Sequence, residues 1–139
     1  MTSIDTNVLI ALLQGDPTSN QIASTLLSQA AAIGPLCICG AVFSELLGFP
    51  GRNAEVIRES MKDLGIWIEW GLDKADWDAA GIAYQGYVKR RRTNGIGLPR
   101  RIATDFIIGA HATVRGYTLL TLDKRLYTVS FPGLQIQST

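Results

Sequence analysis

The chain has 139 residues, of which 47% are hydrophobic and 18% charged, enough apolar material for one core and too little charge for a disordered polymer. Thirteen basic residues against twelve acidic ones leave a net charge of +1, which excludes a binding mode resting on whole-molecule charge, whether to nucleic acid or to a membrane surface. One domain over residues 1–139 is expected.

Ser3-Ile4 opens as a short strand, Asp5-Thr6-Asn7 offers capping chemistry, and Val8 to Leu13 predicts the helix that follows. That apolar run is too short for a membrane span and lacks the basic flank of a secretory leader. Asp16-Pro17 reads as a cap with proline at the first helical position, starting a helix through Ala32 with Ile22, Leu26 and Ile33 on its buried face. After Gly34-Pro35 comes a buried strand, Leu36 to Ile38, and then an apolar helix, Ala41 to Leu47. Cys37 and Cys39 lie in this apolar stretch and read as reduced core residues of an intracellular, cytoplasmic protein. A helix over Ala54 to Leu64 places Ile57, Met61 and Leu64 at helical spacing. The strand Ile66 to Trp70 follows, then a long helix capped by Asp73 and Asp76 and reaching about Lys89. Thr93 to Pro99 is rich in turn formers. Ile102 to Arg115 predicts a helix closed by Gly116, with strands at Tyr117 to Thr121 and near Leu134 to Ile136. Strands alternating with helices imply an α/β fold with a central parallel sheet flanked by helices.

Most of the twelve acids have ordinary surroundings. Asp16, Glu55, Glu59, Asp63, Asp73, Asp76 and Asp78 sit among polar residues, as solvated faces and caps do; Glu69, between Ile68 and Trp70, is a further misfit that alternation along a strand can turn outward. Asp5, Glu45, Asp105 and Asp123 differ, because each touches a segment that otherwise reads as core. Taken singly, Asp5 fits a cap, Asp105 a helix N-terminus and Asp123 a turn; Glu45, inside a short apolar helix, fits neither cap nor turn. In a parallel sheet Asp5 and Asp123 fall at the carboxyl ends of two strands, the edge where ligands bind. Four carboxylates meeting there would repel one another unless a cation neutralised them. An all-oxygen set suits Mg2+ or Mn2+ and disfavours zinc, and such ions serve phosphoryl chemistry by polarising the phosphate, activating water and stabilising the leaving oxygen.

Other chemistries lack their parts. The single histidine, His111, excludes a two-histidine ribonuclease mechanism and reads as structural, and neither a GxxxxGK[ST] loop nor a GxGxxG after a strand is present. Charge is unevenly spread, however. No acid occurs from Ala79 to Thr104, whereas Lys89, Arg90, Arg91, Arg92, Arg100 and Arg101 all fall there, which leaves seven bases against twelve acids elsewhere. This patch borders Asp105 and would suit a phosphate-rich chain, with Tyr84 and Tyr87 as candidate stacking surfaces.

Asp5-Thr6-Asn7, Glu45 in a helix, Asp105-Phe-Ile-Ile-Gly-Ala-His-Ala and Thr121-Leu-Asp123 together resemble the PIN domain, and the length resembles the toxin ribonucleases of the VapC type. Gly109, where alanine is commoner, and Leu126, where an aromatic often follows the last acid, depart from the pattern without removing an acid. The resemblance implies Mg2+- or Mn2+-dependent endoribonuclease activity on single-stranded or looped RNA. It implies metal binding by Asp5, Asp105 and Asp123, with Glu45 reaching the ion directly or through water and Asn7 and Thr121 in support. It further implies inhibition by a cognate antitoxin protein and a homodimeric assembly. Two rival readings are a haloacid-dehalogenase-like phosphatase with Asp5 as nucleophile, weakened by Asn7 at the place of its second acid, and a non-catalytic RNA- or protein-binding module whose acids pair with the nearby arginines.

Overall fold

The computed structural model describes residues 1–97 and 104–139. Among the described residues five short strands form one all-parallel sheet: β1 (Thr2–Ile4), β2 (Leu36–Cys39), β3 (Ile66–Glu69), β4 (Thr118–Leu120) and β5 (Ile136–Gln137). Seven helices of the described residues accompany it: α1 (Thr6–Gln14), α2 (Pro17–Ile33), α3 (Gly40–Leu47), α4 (Ala54–Asp63), α5 (Lys74–Thr93), α6 (Thr104–Arg115) and α7 (Arg125–Ser130). None is long and apolar enough to cross a membrane among the described residues.

The strand order is β3-β2-β1-β4-β5. The chain therefore builds outward from β1 in one direction through β2 and β3, then returns to the other side of β1 with β4 and β5. The reversal falls between β1 and β4, and beyond the carboxyl ends of these two strands the flanking connections diverge and leave a crevice. Burial of Ile4, Ile38, Leu119 and Leu120 explains why these short strands read as continuous apolar runs.

Local signals act as predicted in several places. The Asp16 carboxylate accepts from the backbone N–H groups of Thr18 and Ser19 ahead of Pro17, and Asp73 and Asp76 form a reciprocal capping box at the start of α5. Gly116 ends α6 with φ of 66°, a conformation that favours glycine. Cys37 and Cys39 are buried and free.

Four expectations are corrected. The inward face of α2 is Ala23, Leu26, Leu27 and Ala30; Ile22 is exposed, and Ile33, at the helix end, is 82% exposed. Leu64 lies at the surface while Ile57 and Met61 are fully buried. Helix α7 has no counterpart in the predicted elements, since six residues are too few to show a period. The fourth concerns Asp76 and Glu69. Asp76 is 1% exposed and paired with Arg115, and Glu69 turns inward to His111, Tyr117 and Arg115. The predicted start of α6 at Ile102 lies outside the described residues.

Candidate functional site

At the reversal point, the first residue beyond β1 is Asp5 and the first beyond β4 is Thr121. Asp5 occupies the N-cap position of α1, yet its side chain makes no capping bond. Its Oδ2 instead accepts from the Thr121 hydroxyl at 2.6 Å and the Asn7 amide at 2.8 Å. The same amide donates to Thr121 Oγ1 at 3.1 Å, and Asn7 Oδ1 accepts from the Leu122 backbone N–H at 3.0 Å. Thr121 Oγ1 accepts in turn from the Asp123 backbone N–H at 3.1 Å. A closed ring of hydrogen bonds thus stitches the ends of β1 and β4 together and fixes how the buried Asp5 carboxylate is turned.

Two helices supply the neighbouring acids. Glu45 projects from α3 and accepts a hydrogen bond from the Thr6 hydroxyl, which explains how an acid survives inside an apolar helix. Asp105 lies in the first turn of α6, half-buried. Asp5, Glu45 and Asp105 line one open cavity of about 310 Å³ together with Thr6, Asn7, Ile10 and Phe49. Asp123 does not join that lining. It is exposed beside Lys124 and Arg125, its Oδ1 accepts from the Arg125 backbone N–H, and its charge is still felt at Asp105.

Burial, with like charge added to it, sets the electrostatics of the acids. Burial and then the charges of Asp5, Glu45 and Asp123 push Asp105 up to about 6. Burial also raises Asp5, with Glu45 adding to it and the Thr121 hydrogen bond opposing it. No cationic side chain pairs with either acid among the described residues, so the tension is relieved only by protons or a bound cation. Among the described residues no three His, Cys, Asp or Glu side chains form a ready-made metal cage. The donors are all oxygen and line an open cleft, which fits a hard ion that keeps much of its water and unites few carboxylates better than a closed structural site.

The basic patch divides. Arg90 donates to the Ser130 hydroxyl at 3.2 Å and ties α5 to α7. Arg91 donates to the carbonyls of Gly97 and Ile96 at 3.0 and 3.2 Å and lies over the Tyr87 ring, so it holds its own turn. Lys89 and Arg92 are exposed; Arg100 and Arg101 lie outside the described residues. Tyr84 and Tyr87 pack on Phe106, with ring centroids 5.5 and 5.3 Å apart, and serve the wall between α5 and α6.

Helix α7 carries two residues that the sequence reading passed over. Phe131, just after it, lays its ring against α6 where a Cβ on residue 109 would stand 2.2 Å from a ring carbon. Gly109 is therefore a notch for that ring, which accounts for its departure from alanine. Tyr127 is buried, and burial with the charges of Asp5 and Asp105 pushes its hydroxyl up. The aromatic spacing Tyr127, Phe131 at helical interval was the one available signal.

The PIN domain family model matches residues 3–132. A comparison with curated proteins finds no match. Among solved structures, the fold is similar to that of VapBC-1 from nontypeable Haemophilus influenzae, with a TM-score of 0.64 and 16% identity over 99% of this chain and 96% of that one. It is similar also to VapBC2 from Rickettsia felis, solved bound to a promoter DNA fragment, with a TM-score of 0.61 and 17% identity over 99% and 97%. FitAcB from Neisseria gonorrhoeae gives 0.60 and 20% over 98% and 96%. At these identities the likeness speaks for the fold alone. The family match takes in nearly the whole sheet and every acid of the cleft, and on that ground the chain belongs to the PIN domain family.

Proposed function

We infer that this protein is a metal-dependent endoribonuclease, the toxin of a toxin–antitoxin pair, acting in the cytoplasm. One observation carries the reading: Asp5, Glu45 and Asp105 line a single cleft at the sheet's reversal point with no cation of their own among the described residues. Membership of the PIN family supports nuclease chemistry, and the likeness to the VapBC and FitAcB structures supports an antitoxin partner. A homodimer accords with the same family likeness.

Asp5, Glu45 and Asp105 would hold Mg2+ or Mn2+, with Asp123 reaching in from the rim. When bound, such an ion supplies Lewis acidity that polarises the phosphodiester and offsets developing charge. The chain's own residues do the rest. Thr121 and Asn7 lock the Asp5 carboxylate in one orientation. The carboxylate set takes the proton released as water oxygen bonds to phosphorus; the bond from phosphorus to the 3'-oxygen breaks, that oxygen gains a proton, and the products carry a 5'-phosphate and a 3'-hydroxyl. Lys89 and Arg92, with Arg90, Arg91, Arg100 and Arg101 in the same patch, would offer the RNA backbone a positive wall.

The test is incubation of the purified protein with single-stranded and hairpin RNAs, with Mn2+ or with EDTA. Cleavage that appears with the metal and stops with the chelator is the expected result. Intact RNA in both, or cleavage indifferent to EDTA, would overturn the reading.

A further inference from the structure

The chain holds four phenylalanines, and the fold treats one of them differently. Phe43, Phe106 and Phe131 are buried, each with its ring against another aromatic ring. Phe49 is half-buried and lines the cleft beside Asp5, Glu45 and Asp105. Among the described residues it neither packs on the core nor meets another aromatic ring, so it forgoes the gain of full burial. Its backbone is nevertheless fixed. Phe49 follows Glu45 by four residues, and Gly48 keeps helical angles, φ −70° and ψ −8°, beyond the end of α3, which brings ring and acid out on one side. The Phe49 N–H donates to the Leu46 carbonyl, and the Phe49 carbonyl accepts from the Arg52 N–H, each at 3.4 Å. With Ile10 of α1, the ring gives the cleft an apolar wall next to its acids.

We propose that Phe49 is a specificity-determining residue, the stacking surface for a nucleobase that flanks the phosphodiester addressed by the acids. This inference rests on the nuclease reading of the cleft and names the form of RNA that the cleft takes. A phosphodiester drawn to the acids brings its attached bases with it, and the aromatic face lining that cavity is the Phe49 ring. Tyr84 and Tyr87, the rings that the sequence suggests for stacking, are occupied by Phe106. Stacking on a phenyl ring accepts any base but needs a bare base face. A duplex keeps those faces against the neighbouring pairs, so the wall selects unpaired RNA without reading its sequence at this position.

The experiment compares Phe49→Ala, Phe49→Leu and Phe49→Trp with the parent in the full chain. The substrates are a single-stranded RNA with Mn2+ and the same RNA with the base deleted in turn at each position flanking the cleaved bond. Phe49→Ala should raise KM about tenfold or more with kcat within about twofold of the parent's. Phe49→Leu, apolar but without a flat face, should raise KM severalfold, and Phe49→Trp should keep it parental. Deleting the base at one flanking position should raise the parent's KM by the same factor and leave that of Phe49→Ala where it was. Mn2+ affinity by calorimetry and metal-free Tm should stay parental in all three variants, because the ring neither holds the ion nor packs in the core. A parental KM in Phe49→Ala and Phe49→Leu, an equal rise for parent and variant on every base-deleted RNA, or a loss of Tm or Mn2+ affinity in Phe49→Leu would each overturn the proposal. So would a short arginine peptide that inhibits the parent but not Phe49→Ala while both cleave alike, since the wall then serves a basic peptide. A parent that cuts no RNA with Mn2+ overturns the nuclease reading and this inference together; a parent that cuts, with Phe49→Ala cutting equally, overturns the inference alone.

Discussion

Helix α6 presents two polar constellations, one at each end, and they are built on opposite rules. Toward its C-terminus His111, fully buried, contacts Glu69 through Nε2 at 2.8 Å, and Arg115 pairs with both Glu69 and Asp76. Every charge there has a counter-charge. Although burial works against the Asp76 carboxylate, Arg115 and the Asp73 backbone hold it below its ordinary range, while burial holds His111 down toward the neutral form. At the N-terminal end the charged groups that act on Asp105 among the described residues are further acids, and burial together with them drives it up to about 6. The first constellation is complete within the chain and ties α6 to β3 and α5; the second is complete only with something added. A buried carboxylate without a counter-charge among the described residues, rather than burial of polar groups as such, sets the acidic end apart.

This contrast can be broken by mutation, and the largest effect belongs to the unpaired end. Asp5→Asn and Asp105→Asn should each reduce RNA cleavage about a thousandfold, equivalent to about 4 kcal/mol of transition-state stabilisation, with circular dichroism unchanged. Gel-based cleavage rates check this, and activity within tenfold of the parent would contradict the assigned roles. At the paired end, Arg115→Met should cost about 3 kcal/mol in urea unfolding, because Asp76 is left buried without its partner; a loss below 1 kcal/mol would show that the pair does not hold the helix.

The sign reverses for stability at the acidic end. Asp105 has a folded-state pKa of about 6 against an ordinary value of 3.8, so folding favours its protonated form. Its penalty is fully present above pH 6, shrinks as pH falls, and is gone below about 4. In metal-free buffer at pH 7 Asp105→Asn should therefore be more stable than the parent by about 1–2 kcal/mol, discounted for partial exposure, and the advantage should vanish at pH 4. Chemical unfolding at the two pH values decides it. Gly109→Ala should cost about 1–2 kcal/mol by pushing Phe131 from its notch, seen as a lower Tm. The smallest effect is expected for Arg92→Ala, a severalfold loss of RNA affinity with the salt slope reduced by about one; an unaltered slope would remove Arg92 from the RNA path.

Much of this was legible from the residues alone. The alternation of strands and helices, the caps at Asp16 and Asp73, and the misfit of Asp5, Glu45 and Asp105 in apolar segments depend on local chemistry, which a linear reading captures. Asp123 shows the limit: its place after a strand suggested a member of the cluster, but its carboxylate opens the turn into α7 and sits at the rim.

Glu69 and Asp76 turn inward for a reason that no local pattern shows. Their neighbours in sequence are polar or alternate, whereas the partners that draw them inward, His111, Tyr117 and Arg115, lie about forty residues further along the chain. The amino-acid sequence by itself determined the kinds of element, their order and which acids had no local excuse, because capping, periodicity and the cost of burying charge act within a few residues. The tertiary structure alone decided which of those acids share a cleft, which have distant partners, why residue 109 must be glycine and where Tyr127 stands. Those outcomes depend on the strand order and on contacts between segments far apart in the chain, which no local pattern encodes.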